Sequence, residues 1–244
     1  MESHGLMFEL SHPERLKILE MIKENPMRLS HISKSLDVTT AEVSRHLERL
    51  VKASLIERDS DNFYNITSFA AIILSEFSKF DFLAHNKDFF LSHDLTLLPI
   101  HLHWFNSMAQ GTLVEGTLEI SSRIKDLSTE AEEYIYVMSN EIMRGLIDVD
   151  CKKNDEGVVL KKIYPQDAQI PDEYMERINE SFQIRTIENV PLALKINEKT
   201  SGMAFKDKSG KVDFSVGLTG DNEAFCRWIK TIFDYYWDKA KPIR

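Results

Sequence analysis

Between Thr39 and Arg58 the chain places hydroxyl and guanidinium groups at helical spacing: Thr40, Ser44, Arg45, Arg49 and Lys52, with Ala41 among them and Arg58 beyond. Two guanidiniums one turn apart, preceded by small residues, offer paired N–H donors to an acceptor edge or a phosphate at close range. That chemistry needs the groups on one face of a helix, and the helix held firmly from behind. Val43, Leu47, Leu50 and Val51 recur at i, i+4, i+7 and i+8 and supply the apolar stripe on the other side. Thr39 followed by Glu42 is a capping-box start for that helix.

The elements that must position this helix are legible on both sides of it. Ser11-His12-Pro13-Glu14 predicts a helix start, with Ser11 as cap, Pro13 in the first turn and Glu14 reaching back. Leu16, Leu19 and Ile22 point to a core, and Asn25-Pro26 ends the helix. A second helix follows over 29–36, with Leu29, Ile32 and Leu36 on one face, and Asp37-Val38 makes a turn into the third, over 40–53. Leu55–Arg58 and Phe63–Ile66 read as two strands around the turn residues Asp59–Asn62.

Helix, tight turn, helix and hairpin make a winged helix-turn-helix, whose second helix enters the major groove of double-stranded DNA. In that arrangement Thr40, Ala41, Ser44, Arg45 and Arg49 come to base edges, while Lys52 and Arg58 meet phosphates. The wing tip carries Asp59 and Asp61, which repel phosphate, so the wing adds little affinity. His46 borders the inner stripe and reads as a half-buried, hydrogen-bonded side chain.

Charge sets a limit on this reading. The 244 residues carry a net charge of −9, which excludes a protein that coats nucleic acid indiscriminately. Recognition must come from local placement of charge. The acidic balance also sustains an alternative, a protein-interaction adaptor that reuses a winged helix without DNA. The length favours two domains and the 43% apolar content suffices for packed cores. Cys151 and Cys226 stand apart in no metal-ligand spacing, which fits a reducing cytoplasm. The first residues lack a basic, apolar leader, and no apolar run is long enough to span a bilayer, so no membrane partner is expected.

Signs of catalysis are weak. There is no Gly-x-Ser-x-Gly elbow, P-loop or Gly-x-Gly-x-x-Gly. His85-Asn86-Lys87 matches only the first half of a phosphodiesterase His-x-Lys-x4-Asp array, because Ser92 stands where the acid belongs. His101 and His103, with His85 and His93, read as the one candidate metal cluster in the sequence, and neither a metal nor another cofactor is expected there. The expectation is therefore not an enzyme.

The rest of the chain reads as an input module. Residues 69–93 are helical and unusually apolar, with Ile72, Ile73, Phe77, Phe80 and Phe82, and predict a homodimer contact that spaces two heads along DNA. Candidate strands follow at 134–138, 158–163, 182–187, 192–196, 202–205 and 212–216, with helices near 118–127, 141–149, 171–180 and 221–239. Strands after 182 follow one another without helices, so the sheet is expected to be mixed. Ser139-Asn140-Glu141, placed between a strand and a helix start, would offer free N–H groups to an anion. Trp104, Arg123, Tyr136 and Lys162 are expected to join Ser139 and Asn140 in a ligand cleft.

Two sets of residues resemble known families. Ser11–Leu19 (SHPERLKIL) together with Val43–Leu50 (VSRHLERL) resembles the ArsR-like winged-helix regulators. Ser92–Pro99 (SHDLTLLP) and the ending from Gly217 through Trp228–Tyr236 (WIKTIFDYY) resemble the archaeal methanogenesis-regulatory family. The resemblance implies such a head coupled to that family's regulatory domain. Metal-sensing ArsR members use a Cys-x-Cys pair that this head lacks, so that property is not implied. The expected whole is an α+β chain. It comprises a winged helix-turn-helix over 1–68, a helical linker and dimerisation segment over 69–98, and an α/β regulatory domain with a mixed sheet over 99–244. Its expected role is sequence-specific, cytoplasmic transcription regulation under a small-molecule or protein effector.

Overall fold

The structure is a computed structural model and describes residues 2–96, 98 and 104–243, the side chains of Trp104 and Phe105 excepted. The chain divides into two compact units, Met1–Asp81 and Phe82–Arg244.

The first unit contains α1 (Ser3–Leu10), α2 (Pro13–Glu24), α3 (Leu29–Leu36), α4 (Thr40–Lys52), the antiparallel pair β1 (Ile56–Arg58) and β2 (Tyr64–Ile66), and the start of α5 (Ser68–His85). Ser11 does not cap α2. It closes α1, its hydroxyl donating to the Phe8 carbonyl at 3.0 Å, and His12 takes the cap position before Pro13. Helix α1 lacks a side-chain cap and buries only Leu10, which is why neither start signal nor stripe announced it. Asp37, at φ 55°, adopts the left-handed conformation that turns α3 toward α4. Thr39 Oγ1 accepts from the Glu42 N–H at 3.3 Å and opens α4.

Ile18, Leu19, Ile22, Ile32, Val43, Leu47 and Leu50 are buried together behind α4. Each such side chain contributes about 1.5–3 kcal/mol relative to exposure. Val51, expected in the stripe, is 41% exposed because it lies round the helix from the arc that Val43, His46, Leu47 and Leu50 bury. Thr67 precedes α5, its Oγ1 accepting from the Ala70 N–H at 3.1 Å. The helix buries Ala70 and Leu74 and leaves Phe69, Ile72 and Phe80 exposed.

The second unit is built on one mixed sheet. In chain order it contains α6 (Lys87–Ser92), β3 (His93–Asp94), α7 (Trp104–Met108), β4 (Thr112–Glu115), α8 (Thr117–Thr129), β5 (Tyr134–Met138), a 3₁₀ turn (Arg144–Leu146) and α9 (Ile147–Asp155). There follow β6 (Val159–Pro165), α10 (Asp172–Met175), β7 (Phe182–Ile187), β8 (Ala193–Ile196), β9 (Ser201–Ala204), β10 (Lys206–Asp207), β11 (Val216–Gly220), α11 (Glu223–Lys239) and β12 (Lys241–Pro242). The sheet order is β12-β7-β6-β5-β8-β9-β11-β4. Strands β5, β6 and β7 run parallel, joined through α9 and α10, and every other pairing is antiparallel. The α+β class with a mixed sheet therefore stands.

Alternation along the strands assigns the two faces. Leu194, Ile196 and Met203 pack under α11 with Trp228, Ile229 and Phe233. Ile135, Leu160 and Ile184 pack on the other side with Ile147 and Cys151 of α9. Three local expectations fail. The helix expected over 141–149 begins at Ile147, after a non-helical stretch and the 3₁₀ turn. The helix expected over 171–180 is only Asp172–Met175. The strand expected at 212–216 lies at Val216–Gly220, because the Asp213 carboxylate accepts from Ser215 N–H and hydroxyl and holds that stretch in a turn. His101, His103 and the boundary expected near residue 99 fall outside the described residues.

Candidate nucleic-acid interface and a buried polar centre

The first unit presents the outer face of α4. Thr40, Ala41 and Arg45 are exposed on it and Ser44 is half-buried, its hydroxyl donating to Glu48 at 3.2 Å. Arg45 and Lys52 have no side-chain partner among the described residues. Arg49 is differently placed. Its guanidinium grips the Glu9 carboxylate of α1, Nη2 at 2.5 Å and Nε at 3.1 Å, and lies 5.2 Å from the centre of the Phe8 ring. The hydrogen bond from Arg49, with Arg15 nearby, holds the Glu9 carboxyl below its ordinary value. Arg15 is itself buried against α1, donating to the Glu9 and Phe8 carbonyls at 2.8 Å each. Arg58 donates to Asn62 at 2.6 Å. Asp59 serves as the acceptor that builds the wing turn, receiving the N–H groups of Asp61 and Phe63 at 2.9 Å.

Behind this face His46 is buried, with Nε2 3.0 Å from the Glu14 carboxylate and its ring 4.6 Å from that of His12. Burial, then the neighbouring His12, lowers the His46 pKa from its ordinary value. Among the described residues His12, Glu14 and His46 form the one group whose ligand atoms, all within 4.8 Å of one another, have the donor types to hold a metal ion. It also braces α4 against the start of α2.

The second unit contains a buried polar centre. Strand registers place Lys162 of β6, Val137 of β5 and Lys195 of β8 in one row, so both lysines rise from the same face on either side of Val137. Asp150 of α9, 2% exposed, meets them from above. Its Oδ2 accepts from Lys162 Nζ at 2.6 Å and from the Tyr174 hydroxyl at 2.8 Å, and its Oδ1 accepts from Ser128 at 2.8 Å. Lys195 Nζ donates to Ser128 Oγ. Burial pushes the Asp150 carboxyl up, but the Lys162 and Lys195 charges outweigh it and bring it down to about 2. Lys162 is raised by Asp150 despite its burial. Burial brings Lys195 down to about 8, with Lys162 adding to the effect and Asp150 opposing it.

A cavity of about 80 Å³ adjoins this centre. Its floor is the run of small residues Ala193, Gly202, Ala204 and Gly217, and α8 covers it with Ile120 and Ile124. A Cβ on Gly217 would lie 2.9 Å from the Met203 carbonyl oxygen, so no larger residue fits there.

The expected ligand residues separate. Lys162, Ser139 and Arg123 do line this cavity, with Ser139 buried and Arg123 exposed at the rim, where it pairs with Glu119 at 2.9 Å. Tyr136 does not join them. It follows the opposite phase of β5, stacks on Phe233 of α11 with ring centres 5.0 Å apart, and faces away from Lys162. Asn140 is half-buried but is not part of the lining, and its Oδ1 has no partner among the described residues. The helix start expected at Ser139 is absent from that stretch, where Ser139 Oγ accepts from the Glu141 N–H at 3.2 Å in a turn. The Trp104 side chain lies outside the described residues. Asp150, Ser128 and Lys195 were missed. Lys195 sits in an apolar run that suggested only a core strand, and Ser128 and Asp150 each fall one residue beyond the helices expected over 118–127 and 141–149.

Residues 12–58 match the bacterial regulatory proteins of the arsR family, and residues 119–239 match the middle domain of the methanogenesis regulatory protein FilR1. No curated protein matches the chain by sequence. TrmBL2, described as an archaeal chromatin protein with a novel mode of DNA binding, is similar in structure at 14% identity and a TM-score of 0.45, covering 99% of this chain and 100% of its own. NucT from Helicobacter pylori, at 9% identity and a TM-score of 0.44, covers 55% of this chain and 98% of its own. The phospholipase D family member Nuc from Salmonella typhimurium, at 13% and 0.43, covers 55% and 99%. At these values none of the three bears on the fold or activity of this chain. The two family matches rest on the segments that form the winged head and most of the second unit. The chain is thus an ArsR-type helix-turn-helix DNA-binding regulator carrying the middle domain of the methanogenesis regulatory proteins.

Proposed function

We propose that the chain is a sequence-specific transcription regulator of the cytoplasm. It works as a homodimer, reads double-stranded DNA through α4 and takes its signal from a small molecule or partner bound to the second unit. The observation that carries the reading is the outer face of α4. Arg45 and Lys52 stand unpaired there among the described residues beside Thr40 and Ala41, while Val43, Leu47 and Leu50 anchor the opposite side. Thr40, Ala41, Ser44, Arg45 and Arg49 read base edges and Lys52 and Arg58 hold phosphates.

Two heads bound to half-sites must stand about one helical turn of DNA, roughly 34 Å, apart. The exposed Phe69, Ile72 and Phe80 of α5 give an apolar stripe suited to a second copy of the chain. An effector that prefers one arrangement of the dimer then alters operator affinity. Among the described residues no helix is long and apolar enough to cross a membrane.

Fluorescence anisotropy with a random labelled duplex at low salt tests the reading. Binding that weakens linearly on a log–log salt plot supports it. No binding at low salt favours the adaptor reading, for which the acidic wing tip and the Arg49–Glu9 pair speak.

A further inference from the structure

The charges around the cavity of the second unit do not cancel. Two buried ammonium groups, Lys162 and Lys195, face one buried carboxylate, Asp150, and the tyrosines beside them are kept neutral by burial. Asp150 is already committed to Lys162, Tyr174 and Ser128. Lys195 is 7% exposed and, among the described residues, has one neutral hydrogen-bond partner, Ser128, for three N–H donors. A buried cation that shares one carboxylate with a second lysine is costly, and the sheet nevertheless sets it at the edge of a cavity floored by Ala193, Gly202, Ala204 and Gly217.

We propose that this cavity binds a small monocarboxylate, its carboxylate on Lys195 and its short apolar tail over Gly202 and Gly217 beneath α8. The proposal deepens the effector reading and rests on it. One uncompensated positive charge calls for one negative charge, whereas a phosphate dianion would overshoot and find few donors in a lining dominated by Ile120, Ile124, Leu127 and Met203. The volume sets the length of the tail. An apolar cavity of about 150 Å³ takes a benzene ring, so a cavity of this size takes an acid of roughly two to four carbons. The Lys195 pKa, depressed by burial and by Lys162 and only partly restored by Asp150, accords with that excess of positive charge.

The test uses the full chain with sodium propionate, against propionamide, inorganic phosphate and sodium chloride at matched ionic strength. Tenfold excess of propionate over its Kd raises the melting temperature by roughly 3–6 °C, and propionamide, phosphate and chloride do not. Lys195→Met abolishes the shift while keeping the wild-type circular dichroism. Calorimetric titration of the unaltered chain with propionate and propionamide gives the same answer without a variant. An equal response to propionamide or chloride, a response to phosphate alone, no heat with propionate, or a full response in a folded Lys195→Met each overturns the proposal. Anisotropy with a DNA duplex, with and without propionate, separates the two layers. Propionate binding that leaves DNA affinity unchanged sustains the site and overturns the effector role.

Discussion

Glu9 of α1 holds Arg49 of α4 through both carboxylate oxygens, at 2.5 and 3.1 Å, so one of the two guanidiniums on the outer face of α4 is engaged within the chain itself. A phosphate or base edge must compete with that carboxylate to win Arg49. Glu9→Gln removes the competitor without removing its bulk. The expected result is tighter binding to duplex DNA, measured by anisotropy at one fixed salt concentration. An affinity identical to that of the native chain would place Arg49 outside the interface.

Lys52 and Arg45 should part company when truncated. Lys52→Ala is expected to weaken specific and random duplexes alike and to reduce the salt slope by about 1, the signature of a phosphate contact. Competition titrations against random duplex make the comparison. A loss confined to the preferred sequence would instead make Lys52 a base reader.

The polar centre of the second unit predicts a large cost for losing its carboxylate. Asp150→Asn leaves Lys162 and Lys195 buried together without a counter-charge, and such broken buried pairs typically cost about 3–5 kcal/mol. Urea unfolding of the full chain, following the second unit through Trp228 and Trp237, measures it. A loss below about 1 kcal/mol would mean the centre is open to solvent.

The same centre gives the chain a pH dependence of definite sign. Burial brings Lys195 to about 8, with Lys162 adding to this and Asp150 opposing it, against an ordinary 10.5. The unfolded chain therefore binds more protons than the folded one between these values, and this lysine makes stability rise with pH from about 8 to about 10.5. The groups around it are Asp150, Lys162, Tyr164 and Tyr174, with Arg123 and Glu141 at the rim. Asp150, at about 2, does not titrate in this window. The raised thiols of Cys151 and Cys226 oppose the trend equally in both chains, so the informative quantity is native minus Lys195→Met. That difference in unfolding free energy is expected to favour the native chain increasingly from pH 8 to pH 10, by on the order of 2–3 kcal/mol. A flat difference would contradict a buried, charge-crowded Lys195.

How much of this was legible in the sequence differs between the units. The head declares itself because its signals are local: Thr39 with Glu42 opens α4, the stripe of Val43, Leu47 and Leu50 orients it, and Asp59 builds the wing turn within a few residues. Helix α1 escaped because it has neither cap nor stripe, and with it went the Glu9–Arg49 pair, which joins residues distant in sequence. In the second unit the strands were visible as apolar runs, but register was not. Whether Tyr136 or Val137 faces Lys162 depends on how β5 pairs with β6, and a one-residue change reverses the answer. For the same reason Lys195 and Lys162 could not be seen as neighbours, since Val137 on a third strand lies between them.

The account stands most directly on Arg45. Duplexes enriched from a random pool by the full chain would supply a preferred site, and anisotropy would then compare that site with random duplex for the native chain and for Arg45→Ala. The expected result is a native preference of about a thousandfold or more, of which Arg45→Ala forfeits about 1–3 kcal/mol while random binding falls far less. Failure to enrich any sequence, or a preference that survives Arg45→Ala intact, would contradict the claim that the outer face of α4 reads DNA.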